Sequence, residues 1–280
     1  MRCDDSLKHF NPDGYTTVLE VRHVKKGDPF PNPVMDQLVY PDLPATFEAD
    51  MCWVKLLVGP GHPGPANAPS TSKGIGLEIW LPEKGVWNHR FHAIGGSGST
   101  GSEETLPDKI SSWTGGVDVR SAPRVAAEQN AVTSATDSGK GDDRDFGFTM
   151  LPNGSVNKEG LRDWSYRALL VQAATTKALI KAYYGSAPKY SYFDGASGGG
   201  RQAFHVARNI PTQSDGIIAG DPAFNCVEII ANNWPAIVII NDSGGKAPTE
   251  GQLDLASDGP LDSPGAYAVA DGSLQATSED

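Results

Sequence analysis

The sequence predicts an α/β fold in which a mostly parallel sheet is flanked by helices. Three runs in the second half of the chain carry this prediction: a strand at residues 190–193, a helix at 201–209 and a strand at 216–219. Strands and helices that alternate with short links are typical of parallel strands joined by right-handed crossovers. A longer helix is predicted before them, at residues 159–184.

The first half of the chain supplies the other strands. Up to Pro69 it is rich in proline and glycine, which favours a strand-and-loop entry to the fold. Between residues 74 and 82, apolar residues alternate with Gly76, Glu78 and Trp80, which is the period-two pattern of a half-buried strand. The predicted strands of this half lie at residues 15–21, 52–58, 74–82, 90–94 and 132–137.

The helix predicted at residues 159–184 has apolar and small side chains three or four positions apart, so that they form one stripe. The stripe consists of Leu161, Trp164, Ala168, Val171, Thr175, Ala178 and Ala182. Gly185 is placed to cap the helix, and Pro188 prevents its continuation. We therefore expect the helix to end at Tyr184.

The composition changes toward the C-terminus. Residues 1–235 are predicted to form the core domain, whereas residues 236–280 are acidic and dense in glycine, proline and serine. The latter have too few large apolar side chains to order themselves alone, so we expect a poorly ordered tail. Asp254, Asp258 and Asp262 do not have the spacing of an EF-hand loop, and we predict no metal site and no cofactor.

The net charge restricts the partners of the chain. With 23 Lys and Arg against 34 Asp and Glu, the formal charge is −11, which repels phosphate backbones and anionic membranes. We therefore expect no nucleic-acid partner. No stretch approaches the roughly 20 apolar residues of a membrane-spanning helix, and the N-terminal ten residues lack the apolar middle of a signal peptide. The number of subunits is left open.

The three cysteines allow two interpretations. A bond between Cys3 and Cys52 would stabilise the fold by roughly 4 kcal/mol and would place the protein in an oxidising compartment. Three free thiols in a cytosolic protein are the alternative.

Residues 195–199 read G-A-S-G-G and match the pattern G-x-S-x-G between a predicted strand and a predicted helix. In that context the pattern is typical of a nucleophile elbow, a sharp turn that lifts the hydroxyl of Ser197 above a parallel sheet for acyl transfer. An ordinary strand-to-helix turn is the alternative, because the pattern alone is common in a chain with 32 glycines.

A second glycine pattern suggests a different function. Gly96, Gly98 and Gly101 have the G-x-G-x-x-G spacing of a dinucleotide-binding loop and follow the predicted strand at 90–94. The residues after them lack the apolar periodicity of a helix that packs on a sheet, which disfavours this alternative.

Two stretches, Y-F-D-G-A-S-G-G-G-R-Q at residues 192–202 and D-G-I-I-A-G-D-P-A at 215–223, closely resemble the tannase and feruloyl esterase family of α/β-hydrolases. The resemblance extends over roughly residues 3–240. Further motifs stand in family order: E-I-W-L-P at 78–82, W-N-H-R-F at 87–91, the glycine-rich residues 95–101, T-D-S-G at 136–139, and residues 164–167 and 177–184.

The resemblance implies an α/β-hydrolase fold and hydrolysis of esters of hydroxylated aromatic acids, such as gallate or hydroxycinnamate esters, through an acyl-enzyme on Ser197. The oxyanion formed in such a reaction needs two N–H donors, each worth about 3 to 4 kcal/mol. Gly198, directly after the nucleophile, is predicted as the first donor. Gly96 is predicted as the second, with Gly95 as the next choice, because a glycine leaves room for the substrate carbonyl.

The resemblance also bears on the cysteines and on the ends of the chain. Cys3 and Cys52 are similar to the N-terminal disulfide pair of the family, which implies that bond and an extracellular origin. Residues 236–280 resemble a remnant of the lid region. We expect a hydrolase sheet that is incomplete at the C-terminus.

The chain departs from the family around its catalytic partners. His205 is the one histidine after Ser197, and eight helical residues, about 12 Å, separate the two. Ala196 stands where the family has a cysteine bonded to a cysteine beside the catalytic histidine, and Lys140 replaces a histidine after the T-D-S-G motif. The chain thus resembles the front part of a tannase-like hydrolase, without the part that carries the acid and the histidine.

These departures leave three interpretations. The first is a serine esterase whose activity, in this chain alone, is weak because no base activates the hydroxyl. The second is a non-catalytic relative that binds a phenolic ligand. The third is a truncated product without a selected role.

Overall fold

Two units make up this computed structural model, Met1–Ala223 and Phe224–Asp280. The residues that the structure describes are 1–59, 73–99, 101–112, 120–141, 147–151, 153–225, 228, 240, 242, 244–246, 249, 267–270 and 273–276.

The first unit is built on a seven-stranded sheet. Its strands are β1 (Thr16–Val24), β2 (Met51–Val58), β3 (Ile75–Pro82), β4 (Arg90–Ile94), β5 (Val132–Thr136), β6 (Tyr190–Ala196) and β7 (Gly216–Gly220). They lie in the order β1-β2-β3-β5-β4-β6-β7. The pairs β1–β2, β2–β3 and β3–β5 are antiparallel, whereas β5, β4, β6 and β7 pair parallel in that order. The predicted α/β fold is confirmed, and its parallel half carries Ser197.

Five α-helices accompany the sheet in the described part of this unit. They are α1 (Met35–Val39), α2 (Ala122–Gln129), α3 (Lys158–Arg162), α4 (Ala168–Tyr184) and α5 (Gly198–Asn209). A π-helical turn, Asp163–Arg167, joins α3 to α4. Short 3-10 turns lie at Asp5–His9, Glu103–Thr105, Gly147–Thr149 and Pro211–Gln213.

The helix predicted at residues 159–184 is present, but it is not regular. The π-helical turn inserts one residue into its first third, which changes the face that the following residues present. Among the predicted stripe residues of α4, Ala168 and Thr175 are buried, and the others are only partly covered. The helix ends as predicted, with Gly185 in the left-handed region at φ 87° and its N–H donated to the Lys181 carbonyl.

The two faces of the sheet carry separate cores, because side chains alternate along each strand. On one face, Trp53 and Trp80 stack at a centroid distance of 5.4 Å beside Val125 of α2. On the other face, Phe193 of β6 belongs to the core that includes Leu179 of α4 and, on α5, Ala203 and Val206. The turn between β6 and α5 is therefore anchored by packing on both of its arms.

The N-terminal segment is tied to the sheet by a disulfide between Cys3 and Cys52 of β2, with a Cα–Cα distance of 5.6 Å. This confirms the predicted pair.

The second unit contains an antiparallel strand pair, β8 (Tyr267–Ala270) and β9 (Ser273–Ala276). Most of residues 236–280 lie outside the described residues, so the predicted boundary at 235 and the poorly ordered tail remain predictions. In the described part of the chain, no helix has the length and apolar character needed to cross a membrane.

Candidate active site

The turn at Ser197 lies between β6 and α5 and has the sharpness that the sequence predicts. Ser197 adopts φ 55° and ψ −115°, and a positive φ is strained for a residue with a side chain. Its N–H donates to the Gly220 carbonyl at 3.1 Å, and its carbonyl accepts from the N–H groups of Arg201 at 3.0 Å and Ala223 at 3.1 Å. Strain of this kind, held by surrounding contacts, is typical of functional sites.

Glycine is required beside this turn because the backbone of α5 lies in direct contact with the backbones of β6 and β7. A Cβ atom at Gly195 would lie 2.5 Å from the Gly199 carbonyl oxygen, and a Cβ atom at Gly200 would collide with the Gly220 carbonyl oxygen. Neither contact has a flexible side chain that could move away. The close approach of α5 to β6 and β7 therefore depends on these glycines.

The glycine loop, residues 95–99, follows β4 and lies against the first turn of α5. A Cβ atom at Gly199 would lie 2.6 Å from the Gly96 carbonyl oxygen, and a Cβ atom at Gly198 would collide with the Gly98 carbonyl oxygen. The two segments that the sequence assigns to the oxyanion hole are thus direct neighbours.

The N–H groups of these segments differ in their partners. Gly198 is the first residue of α5, so its N–H has no acceptor within the helix. In contrast, the Gly96 N–H donates to the buried Gln202 Oε1 at 2.9 Å. The Gly95 N–H donates to the Asp194 carbonyl at 2.8 Å. Both N–H groups therefore have acceptors inside the protein, and the predicted role of Gly96, or of Gly95, as second oxyanion donor would require that bond to be released.

Gln202 is the residue that the sequence argument missed. It lies 106 residues from Gly96, and no local pattern links the two. Its Nε2 also donates to Ser138 Oγ at 3.3 Å, so that one buried side chain joins α5, the glycine loop and the turn after β5. The one sequence feature that could have indicated Gln202 is its position at the end of the G-G-G-R-Q stretch, directly after the turn.

This geometry can be compared with known proteins. The family model for tannase and feruloyl esterase matches residues 61–261. The chain belongs to the tannase and feruloyl esterase family. A probable feruloyl esterase from Arthroderma benhamiae is 32% identical over 167 residues, which are 58% of this chain and 28% of that protein. An uncharacterized esterase from Xanthomonas campestris pv. campestris is 34% identical over 157 residues, or 56% of this chain and 24% of that protein. The chain thus spans about a quarter of the length of these relatives, 28% and 24%.

Solved structures of the family share the fold. Feruloyl esterase B from Aspergillus oryzae superposes with a TM-score of 0.57 at 24% identity, covering 80% of this chain and 37% of that one. Tannin acyl hydrolase from Aspergillus niger gives a TM-score of 0.55 at 23% identity, covering 79% and 37%. At this identity the likeness concerns the fold alone.

In this member of the tannase and feruloyl esterase family, the described histidines form no hydrogen bond with Ser197. His205 lies on α5, where its Nδ1 contacts Asn209 Nδ2 at 3.2 Å and its ring stacks on Tyr166. Burial, with Arg201 and Arg208 nearby, lowers its pKa. His205 thus makes its contacts with Asn209 on α5 and with Tyr166 of the π-helical turn.

His92 lies on β4, and its ring centroid is 5.0 Å from that of Tyr192. Burial, with the charge of Arg90, lowers its pKa to about 4, so the imidazole is neutral at physiological pH. Within the described residues, no hydrogen bond reaches Ser197 Oγ from any imidazole.

A group of buried carboxylates underlies the turn after β5. The Asp137 carboxylate accepts hydrogen bonds from the N–H groups of Gly76, Gly139 and Gly141 at 2.8, 2.7 and 3.0 Å, yet burial raises its pKa to about 7. Burial, with Asp137 and Glu78 nearby, raises the pKa of Glu104 to about 8. This group fixes the turn that carries Ser138 and Lys140 beside the glycine loop.

One set of side chains in the described residues has the composition of a metal site. His23, Asp50 and Glu83 place their ligand atoms within 4.8 Å of one another, and all three are exposed. They lie at the ends of β1, β2 and β3, strands that do not border β6. They take no part in the site at Ser197.

Proposed function

We propose that this chain carries the nucleophile and the oxyanion hole of a serine carboxylic-ester hydrolase. The observation that supports this best is the strained Ser197, placed beside two neighbouring backbone segments with N–H groups. Ser197 Oγ attacks the ester carbonyl, and the alcohol leaves to give an acyl-enzyme that water hydrolyses. A base from outside the described residues takes the Oγ proton and later gives it to the leaving alcohol.

The Gly198 N–H is the first donor to the oxyanion. For the second we propose the N–H of Ser97 or Gly98, since the N–H groups of Gly95 and Gly96 have acceptors inside the protein. Gly98 lies directly against Gly198, which keeps a donor of the glycine loop within a few ångströms of the first donor. Two such donors stabilise the charge that develops in the transition state.

The proposed substrates are esters of hydroxylated aromatic acids, such as gallate and hydroxycinnamate esters. The names of the relatives, feruloyl esterase and tannin acyl hydrolase, support this class. The proposed partner is therefore a small molecule. An extracellular location is supported by the Cys3–Cys52 disulfide, because disulfides persist in oxidising compartments.

The experiment compares the wild-type chain with Ser197→Ala. A labelled fluorophosphonate should modify the wild type at Ser197 and leave the variant unmodified. Hydrolysis of methyl gallate, methyl ferulate and p-nitrophenyl acetate should depend on Ser197. It should be weak where the base is not supplied, because a site without its base retains about 10³- to 10⁴-fold acceleration over water.

Two other outcomes would change the proposal. Saturable binding of ferulate or gallate without labelling would instead indicate a non-catalytic relative that holds a phenolic ligand. Labelling and hydrolysis that persist in Ser197→Ala would place the nucleophile elsewhere and refute the proposal.

A further inference from the structure

Ser99, the last residue of the glycine loop, is held from two directions. The indole Nε1–H of Trp164 donates to its carbonyl oxygen at 2.7 Å, and Lys140 Nζ donates to its Oγ at 3.0 Å. At the other end of the loop, the Gly96 N–H is bound to Gln202. The intervening residues, which carry the proposed second oxyanion donor, are therefore fixed at both ends.

Trp164 also contacts the helix that presents the nucleophile. The Arg201 guanidinium carbon lies 4.2 Å from the centroid of the Trp164 ring, within cation–π range. The Arg201 N–H donates to the Ser197 carbonyl at 3.0 Å. Trp164 belongs to the π-helical turn, and such turns recur at functional sites. One side chain thus links the glycine loop to the first turn of α5.

Lys140 is buried, with 1% of its surface exposed, and its Nζ lies 4.9 Å from the Phe148 ring centroid. Its backbone is fixed by the turn in which the Asp137 carboxylate accepts from the N–H groups of Gly139 and Gly141. The turn therefore holds the Lys140 ammonium group beside the Ser99 hydroxyl.

We propose that Trp164 and Lys140 are positioning residues that set the glycine loop for oxyanion binding by acting through Ser99. The inference rests on the proposed function of the loop. Neither side chain needs to touch the substrate, since both act through the backbone and hydroxyl of one loop residue.

Three variants test the inference. Trp164→Phe keeps the ring that stacks on Arg201 and removes the indole N–H, Lys140→Met keeps the chain length and removes the cation, and Ser99→Ala removes the hydroxyl acceptor. Hydrogen–deuterium exchange of the loop should become about tenfold faster in each variant, because each loses one part-buried hydrogen bond to Ser99. The limiting rate of fluorophosphonate labelling should fall about tenfold, with the half-saturating probe concentration unchanged.

Matched controls remove the same groups away from the loop. Trp87→Phe loses an indole N–H bonded to the Arg90 carbonyl at 3.0 Å, at the opposite end of β4. Lys177→Met loses an ammonium bonded to the Gln213 carbonyl at 2.8 Å. Loop exchange and labelling should match the wild type in both.

Combined variants show whether the effect passes through Ser99. In the Ser99→Ala background, Lys140→Met should have no further effect, whereas Trp164→Phe should still accelerate exchange, because its acceptor is the backbone carbonyl. Ser99→Ala is the smallest of the three changes. It therefore tests the inference even where Trp164→Phe or Lys140→Met prevents folding.

The outcomes separate the inference from the proposed function. Loop exchange equal to the wild type in all three variants, or an equal increase in the controls, would overturn the inference. Faster loop exchange together with an unlabelled wild-type Ser197 would leave the loop anchoring intact and would refute the esterase function.

Discussion

The contact between the glycine loop and α5 makes a sharp prediction for Gly199→Ala. The new Cβ atom would lie 2.6 Å from the Gly96 carbonyl oxygen, where ordinary contact begins at 3.4 Å, so the two backbones must separate by about 0.8 Å. A displacement near 1 Å of a catalytic group costs about 100-fold in rate. We therefore expect fluorophosphonate labelling of Ser197 to fall about 100-fold.

Stability should change less than reactivity in this variant. Overpacking lowers the free energy of unfolding by about 1–3 kcal/mol. The higher helix propensity of alanine offsets up to about 1 kcal/mol of this loss. The Tm should fall by no more than about 8 °C. Gly85→Ala is the matched control, because nothing lies within 4 Å of its new Cβ atom. Wild-type labelling of Gly199→Ala would refute the reasoning, since the loop and the helix would then not be in contact.

Three further predictions concern stability. Gln202→Met should destabilise the fold by about 1–3 kcal/mol in urea unfolding, because the buried Gly96 N–H loses its acceptor; unchanged stability would contradict that hydrogen bond. Burial raises the pKa of Glu104 from 4.5 to about 8, so the folded state keeps the carboxyl proton in a pH range where the unfolded state releases it. The stability that the protonated carboxyl contributes is therefore lost as the pH rises from about 4.5 through 8. Glu104→Gln should make the Tm less dependent on pH in that window, and an unaltered pH profile would show that Glu104 titrates normally. Removal of the Cys3–Cys52 disulfide, which closes a separation of 49 residues, should lower the free energy of unfolding by about 4 kcal/mol in the same urea assay. Dithiothreitol should lower the stability of the wild type and leave that of the variant without the disulfide unchanged.

Much of the fold follows from local patterns in the sequence. The strand and helix around Ser197 were predictable because alternating and helical periodicities are properties of short segments, and because G-x-S-x-G names the turn between them. Gly185 marked the end of α4 for a similarly local reason, since a glycine accepts the left-handed conformation at a helix terminus.

The parts that the sequence did not reveal depend on contacts between distant residues. The alternation in β3 predicts a half-buried strand, yet Glu78 is fully buried because Lys55 of β2 pairs with it at 3.1 Å. The sequence predicts the Gly96 N–H as an oxyanion donor because no residue nearby in the sequence indicates that Gln202 accepts this N–H. The π-helical turn that brings Trp164 to Ser99 likewise leaves no periodic trace strong enough to predict.

The most direct measurement is a crystal structure of the chain after reaction with a fluorophosphonate. Our expectation is an adduct with phosphorus bonded to Ser197 Oγ and with the phosphoryl oxygen about 2.7–3.1 Å from the N–H of Gly198 and from that of Ser97 or Gly98. An adduct whose oxygen points away from both segments, or whose second donor is the Gly96 N–H, would contradict it.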